Sequence, residues 1–257
     1  MKYISSEERE PDIKDIYKTV CGIKLPLWIY LPKEVKKDVK TVVCIHGGAW
    51  EAMHCGDTFN GQTMRFQADY FSKMGYIGVV ISYRSINAGG ATVKKLAGDC
   101  KDAVSYLIKN YKFVNPDNII LMGDSAVAQL AFALTETGVL EKAPECAILC
   151  NPVSDLNLER WHITSPDKAE RTKYSPIFMT DRINKKTRFL LMHGENDNVV
   201  DISDTERLYH LLKKSGATVL FKPVPGARHA FVLFGYESGD EEVCVYMEFI
   251  ENFIYCR

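Results

Sequence analysis

Short, unbroken apolar runs alternating with helix-period segments constrain this chain more than any other feature. Strand-like runs are read at 25–31, 41–45, 76–83, 118–122, 145–150, 188–192 and 217–222. Helix-like segments are read at 62–74, 91–109, 125–137, 203–215 and about 240–254. Phe66, Tyr70, Phe71 and Met74 share a face of the first helical segment, and Leu96, Cys100, Ala103, Val104 and Leu107 share one of the second. Strands that are apolar on both sides need cover on both faces, and strands linked through helices run parallel. The expectation is an α/β fold with a mostly parallel central sheet and helices on both faces, forming one domain over 1–257. The longest break in the alternation, about 152–186, is polar and carries Trp161, His162 and Tyr174. It is read as a lid-like excursion over the carboxyl edge of the sheet, where open α/β sheets bind ligands.

Composition narrows the function classes. The chain is 46% hydrophobic and 25% charged with a net charge of -1, which gives no support to nucleic-acid or acidic-membrane binding. Its basic clusters, Lys36-Lys37 with Lys40 and Lys185-Lys186 with Arg188, read as solvated loops. Residues 1–15 are polar and acidic, and no apolar stretch approaches the ~18 residues that span a bilayer. The cysteines show no C-x-x-C pairing, and Cys44, Cys146 and Cys150 lie in or beside apolar runs. With no export signal read, they are expected to be reduced thiols in a cytoplasmic protein. No metal ion or cofactor enters this reading, and the oligomeric state is left open.

One strand-to-helix junction carries the chemistry. In 118–131 an apolar strand pattern stops at Gly123, Ser125 follows at the turn, and an alanine- and leucine-rich helix begins at once. A serine at such an apex is held exposed above the sheet beside a helix N-terminus, as a nucleophile requires. The plain alternative is a serine that caps the helix. Asp124 reads as a local turn or network residue.

A serine hydroxyl needs a base, and the base needs an orienting group. The histidines are His46, His54, His162, His193, His210 and His229. His229 lies in 224–231, rich in turn residues, between a strand and the last helix, where a side chain can reach the sheet's rim. His193 ends a strand and reads as structural, while His210 sits in a helical pattern. For the acid, 188–200 offers Glu195 and Asp197, with Asp201 and Asp204 beyond. Asp204 reads as a helix N-terminal residue, and Asp197 is preferred because Val199-Val200 can anchor its loop. The order Ser125, Asp197, His229 is the one expected of this fold. His46-Gly47-Gly48-Ala49-Trp50 follows a strand, and adjacent glycines let backbone N–H groups approach a ligand oxygen. The N–H of Ala126 is expected to complete that hole. His46 is read as bracing the loop, and Trp50 as lining the pocket or packing against it.

The segments HGGAW, MGDSA, LLMHGENDNVV and VPGARHAF, in that order and spacing, resemble the α/β-hydrolase superfamily over about 24–256. They are most similar to its hormone-sensitive-lipase-like esterases and small bacterial carbohydrate esterases. The resemblance implies an α/β-hydrolase fold with a minimal lid, and oxyanion donors on the backbone of Gly48, Ala49 and Ala126, with Gly47 supporting the turn. Two positions depart from the pattern. Val127 stands where the elbow has its second glycine, and Ala49 replaces a third glycine common in the lipase-like group. The HGG-x-W form is shared with arylformamidases. An N-terminal cap helix pair is read as absent or minimal, which implies an open cleft rather than a lipid tunnel.

The expected activity is serine-dependent hydrolysis of short-chain acyl esters through an acyl-enzyme. Acetylated or feruloylated carbohydrates are possible substrates, and Trp50, Asp155 and Trp161 are candidate contacts. Two alternatives stay open. One is an arylformamidase-type amide hydrolase, and the other is a binding protein whose elbow is disabled by Val127.

Overall fold

The computed structural model describes residues 9–51, 54–55, 58–59, 64–86, 91–236 and 238–256. In chain order the elements are β1 (Ile13–Val20), β2 (Ile23–Tyr30), β3 (Thr41–Ile45), β4 (His54–Cys55), β5 (Thr58–Phe59), α1 (Arg65–Lys73) and β6 (Ile77–Ile81). There follow α2 (Val93–Asn110), β7 (Ile119–Asp124), α3 (Ala126–Ala133), β8 (Cys146–Cys150) and α4 (Lys168–Tyr174). The last are β9 (Arg188–Gly194), α5 (Ile202–Lys214), β10 (Val219–Val224) and α6 (Asp240–Tyr255).

The main sheet has eight strands in the order β1-β2-β6-β3-β7-β8-β9-β10. β1 and β2 pair antiparallel, β2 is antiparallel to β6, and from β6 to β10 every pairing is parallel. Side chains alternate across the sheet and divide its core in two. On one face Val43, Ile45, Leu121, Leu149 and Leu191 pack with α2, α3 and α5. On the other, Val42, Cys44, Met122, Ile148 and Met192 pack with α1 and α6. The sheet is thus mostly parallel and covered on both sides, as the apolar runs imply.

Register brings the functional loops into a row. Ile45 of β3 lies beside Gly123 of β7, Asp124 beside Cys150 of β8, Cys150 beside Met192 of β9, and Gly194 beside Val224 of β10. The segments leaving β3, β7, β8, β9 and β10 therefore emerge along one edge of the sheet.

Two sequence readings need correction, and one strand went unread. Residues 13–15 belong to β1, a strand whose buried side chain is Tyr17 alone. Such an edge strand has little apolar signal, because only its pairing with β2 and its inner face ask for burial. Helix α3 ends at Ala133, with Leu134 as its cap, rather than at 137. There Thr137 N–H donates to Arg182 O, Asn184 N–H donates to Thr135 O, and Glu136 bridges Ile183, so tertiary pairing takes the backbone groups that a longer helix would use. Lys40 and Arg188 are not solvated loop cations. Both meet Glu145, at 2.6 and 3.1 Å, and both donate to the Ile254 carbonyl near the end of α6. The 152–186 excursion carries structure of its own, with 3-10 turns at Glu159–Thr164 and Pro176–Phe178 on either side of α4.

Candidate active site

Strand β7 ends at Asp124, and the chain turns into α3 through Ser125 at φ 59 and ψ -132. That conformation is rare for a residue with a side chain and costs of order 1–3 kcal/mol. It is held by its neighbours. Ser125 N–H donates to Cys150 O at 2.8 Å, tying the apex to β8. A Cβ on Gly123 would lie 2.7 Å from Val127 O and 2.9 Å from Ala128 Cα and N, so hydrogen at this position lets the helix start directly against the strand. Val127 itself is wholly buried in the apolar layer on the α2–α3 face, and its side chain leaves the turn intact. The Ser125 side chain forms no cap bond with α3 and meets an imidazole instead.

That imidazole is His229. Its Nε2 lies 2.8 Å from Ser125 Oγ, and its Nδ1 lies 2.7 Å from Asp197 Oδ2. A carboxylate only accepts, so Nδ1 carries the proton and Nε2 presents its lone pair to the serine. The His229 loop is threaded past the end of β9, where a Cβ on Gly194 would lie 2.4 Å from Ala227 O. Asp197 is anchored by its other oxygen, because Oδ1 accepts from Val199 N–H at 2.8 Å and Val200 N–H at 2.9 Å. Burial pushes the Asp197 carboxyl up, but hydrogen bonds from His193, His229, Val200 and Val199 outweigh it and hold the group well below the usual range. The carboxylate is charged and fixed.

The loop after β3 runs through Gly48 at φ 118, Ala49 at φ 50 and Trp50 at φ 60. Gly48 and Ala49 are exposed. Among the described residues, the N–H groups of Gly48, Ala49 and Ala126 have no protein acceptor. His46 stacks on Tyr83 at 4.7 Å, and the Tyr83 hydroxyl donates to His46 O, so this histidine braces the loop. Positive φ concentrates here. Ala49, Trp50, Ser125, Asn151 and Ala230 all adopt it at the carboxyl edge, whereas only Cys21 and Met64 of the described non-glycine residues do so elsewhere. Strain gathered at one edge is the pattern expected where function sets the backbone.

Beneath the elbow lies a buried carboxyl. Asp124 is inaccessible and accepts from Asn151 Nδ2 at 3.3 Å, while Asn151 Oδ1 accepts from Gly194 N–H. Burial raises the Asp124 carboxyl to about 6, against the opposing pull of His229 and the Asn151 hydrogen bond. Asn151 carried no signal beyond its position at a strand end. His193 is also wholly buried, and its Nε2 lies 3.2 Å from Asp197 Oδ2. Sequence marked it as structural and could not show which carboxylate it would face.

The other candidates fall as follows. Trp50 is inaccessible, its indole N–H donates to Gln129 Oε1, and its ring meets Trp161 edge-on at 5.6 Å. It forms a wall behind Trp161 rather than open surface. Asp155 accepts from Asn157 N–H and lies 3.7 Å from Arg207. His162 is exposed, with Nε2 2.9 Å from Asn157 O, and His210 is exposed beside Tyr209. The His54 side chain lies outside the described residues. No group of three or more His, Cys, Asp or Glu among the described residues is placed to hold a metal ion. No described helix is long and apolar enough to cross a membrane.

Comparison with known proteins agrees with this architecture. The BD-FAE family model matches residues 27–147, a span that includes the Gly48 loop and Ser125 but stops short of Asp197 and His229. Human dipeptidyl peptidase 8 is 24% identical over 234 residues, covering 83% of this chain and 26% of that protein. A probable isoprenylcysteine alpha-carbonyl methylesterase of Oryza sativa subsp. japonica is 24% identical over 235 residues, covering 79% of this chain and 55% of that protein. The chain thus spans about a quarter and about half of these relatives' lengths. Among solved structures, propionate-bound Thermogutta terrifontis esterase 2 superposes with a TM-score of 0.78 and 25% identity, covering 94% of this chain and 93% of that one. The same enzyme phosphorylated by paraoxon gives a TM-score of 0.78 and 25% identity over 94% and 92%.

Proposed function

We propose that this chain, whose eight-stranded, mostly parallel sheet has the α/β-hydrolase fold, is a serine carboxylesterase acting on short-chain acyl esters. One observation carries the reading: the unbroken contact from Ser125 Oγ through both His229 nitrogens to Asp197, at 2.8 and 2.7 Å. In this reading His229 Nε2 takes the Ser125 proton as Oγ attacks the ester carbonyl. The backbone N–H groups of Gly48, Ala49 and Ala126 hold the developing negative charge. The protonated His229 then gives its proton to the leaving alcohol, and in the second half it activates water to release the acid. Asp197, charged and fixed, keeps His229 in the required tautomer and stabilises the imidazolium.

The short acyl group is supported by the structural neighbour, which has been solved with propionate and with butyrate bound. A fold shared by many chemistries carries no substrate on its own. Acetylated or feruloylated carbohydrates remain the finer proposal, with Trp161 of the excursion as an aromatic contact.

The test is a fluorophosphonate probe together with p-nitrophenyl acetate. The folded protein is expected to label at Ser125 and to hydrolyse the ester. Ser125→Ala abolishes labelling and lowers turnover by about 10⁴-fold or more. Turnover retained in that variant refutes the assignment of Ser125. A well-folded wild type that neither labels nor turns over points to a binding protein on a hydrolase fold. Esters graded by acyl length, acetylated xylo-oligosaccharides and N-formylkynurenine, run side by side, separate the substrate classes.

A further inference from the structure

Resting on the proposed Ser125–His229–Asp197 relay, a second histidine at the far side of the acid has geometry that its strand-end position does not explain. His193 closes β9 and is fully buried. Its Nε2 faces two acceptors, Val200 O at 3.0 Å and Asp197 Oδ2 at 3.2 Å. Neither can donate, so Nε2 carries the proton, with the shorter contact to Val200 O and Asp197 Oδ2 as second acceptor. Nδ1 is left to accept from the Thr205 hydroxyl at 2.7 Å, which locks the ring from α5. Asp197 Oδ2 is therefore shared by two imidazoles, His229 Nδ1–H from the site and His193 Nε2–H from the core. The same ring grips Val200, whose N–H holds Asp197 Oδ1. A strand-end histidine with a purely packing role would have no need of this hold on both the carboxylate and its loop.

We propose that His193 is a positioning residue of the relay: acting through Asp197, it fixes the carboxylate's plane and limits how much of its charge His229 receives. The base faces opposed demands. It must be unprotonated when the ester binds and must hold a proton as the reaction proceeds. A donor competing for Oδ2 weakens the pull of Asp197 on a His229 proton and so keeps the base free at neutral pH. The charged and titratable groups around His193 are Asp197 and His229 in the site, Asp124 at the end of β7, and Asp201 and Asp204 at the start of α5. Arg160 pairs with Asp204 at 3.2 Å.

The test compares His193→Leu, which removes the donor, with His193→Gln, whose amide can still reach Oδ2. It is read by the NMR titration of His229 and by turnover per organophosphate-titrated active site. In His193→Leu the His229 midpoint is expected to rise by about half a pH unit and the acid limb of kcat/KM to move with it. Turnover per titrated site is expected to fall about tenfold, while KM changes by less than about twofold. His193→Gln is expected to restore most of both. A His229 midpoint and a per-site turnover unchanged in His193→Leu overturn the proposal, because lost packing alone lowers the number of active sites but not the behaviour of each. Should His193→Leu fail to fold, Thr205→Val unlocks the ring without emptying its cavity and is expected to move the midpoint in the same direction; no movement there is equally fatal. The NMR readout needs no substrate, so a failed esterase assignment would show separately, as absent turnover and labelling in the wild type.

Discussion

Asp124 is the residue whose charge this site opposes most directly. Its carboxyl has no described cationic partner, and burial raises it from the ordinary 3.8 to about 6. A raised carboxyl binds its proton more tightly in the folded than in the unfolded chain, so ionisation costs stability as pH rises through this window. Below the unfolded value both states are protonated and there is no cost; above about 6 the cost is fully present. The gap corresponds to an upper figure of roughly 3 kcal/mol. Asp124→Asn keeps the oxygen that accepts from Asn151 and removes the charge. The stability advantage of this variant is expected to grow by about 2–3 kcal/mol between about pH 4 and about pH 8, measured by urea unfolding at each pH. A constant difference across that range would show that Asp124 is not ionising in the folded protein. At this scale the sequence named Ser125, Asp197 and His229 by their loops, and the structure brings their side chains into contact. What it concealed were groups defined by contact alone. Asn151 and His193 act here only because two strand ends and a returning loop meet, and no local pattern encodes that meeting.

Each element places its side chain through a close approach of backbone to backbone. Gly194 closes β9 directly against the Ala227-Arg228 backbone, where a methyl group would fall 2.4 Å from one carbonyl oxygen and 2.8 Å from the next. Gly194→Ala must push the His229 loop outward. The expected cost is about 1–3 kcal/mol of stability and roughly a hundredfold in kcat, with KM much less affected, because the displaced imidazole no longer reaches Ser125. Kinetics on protein shown by circular dichroism to be folded check this; normal turnover would mean that the loop absorbs the methyl group elsewhere. Legibility at the element scale follows from what each segment buries. The inner strands β3, β7, β8 and β9 are apolar on both faces and announce themselves. Strand β10 is an edge strand with half-exposed residues, and it lies two residues later than the pattern at 217–222 suggests. There Ala217 N–H turns back to Leu212 O to close α5, which delays the strand. Strand β1 is fainter still, since only its pairing to β2 makes it a strand. Helix α3 shows the converse, good helix-forming sequence overruled by the pairing of 135–137 with 182–184.

Across the whole molecule the two ends of the sheet divide the work. The carboxyl ends of the parallel strands carry the strained loops, the buried carboxyl and the Ser125–His229–Asp197 contacts. The amino ends are tied together by charge. Arg188, at the start of β9, meets Glu145 at 3.1 Å, donates to Phe253 O at 2.9 Å, and stacks over the Phe253 ring at 4.9 Å. Lys40, just before β3, reaches the same Glu145 and the Ile254 carbonyl. Both cations thus sit at the C-terminal end of α6, where helix carbonyls lack partners and the dipole favours positive charge. They fasten that helix over the sheet. Because this tie is remote from the site, stability and catalysis should separate on its loss. Arg188→Met keeps the apolar stem but takes the guanidinium donor from the Phe253 and Cys256 carbonyls and leaves part of the Glu145 charge unanswered. It is expected to cost about 2 kcal/mol, a fall in Tm of roughly 4–8 °C, with kcat/KM for p-nitrophenyl acetate unchanged within about twofold. A loss of kcat/KM parallel to the loss of stability, measured well below Tm, would mean that α6 transmits strain through Val243 and Met247 to the His229 loop, and that the two ends of the sheet are mechanically one.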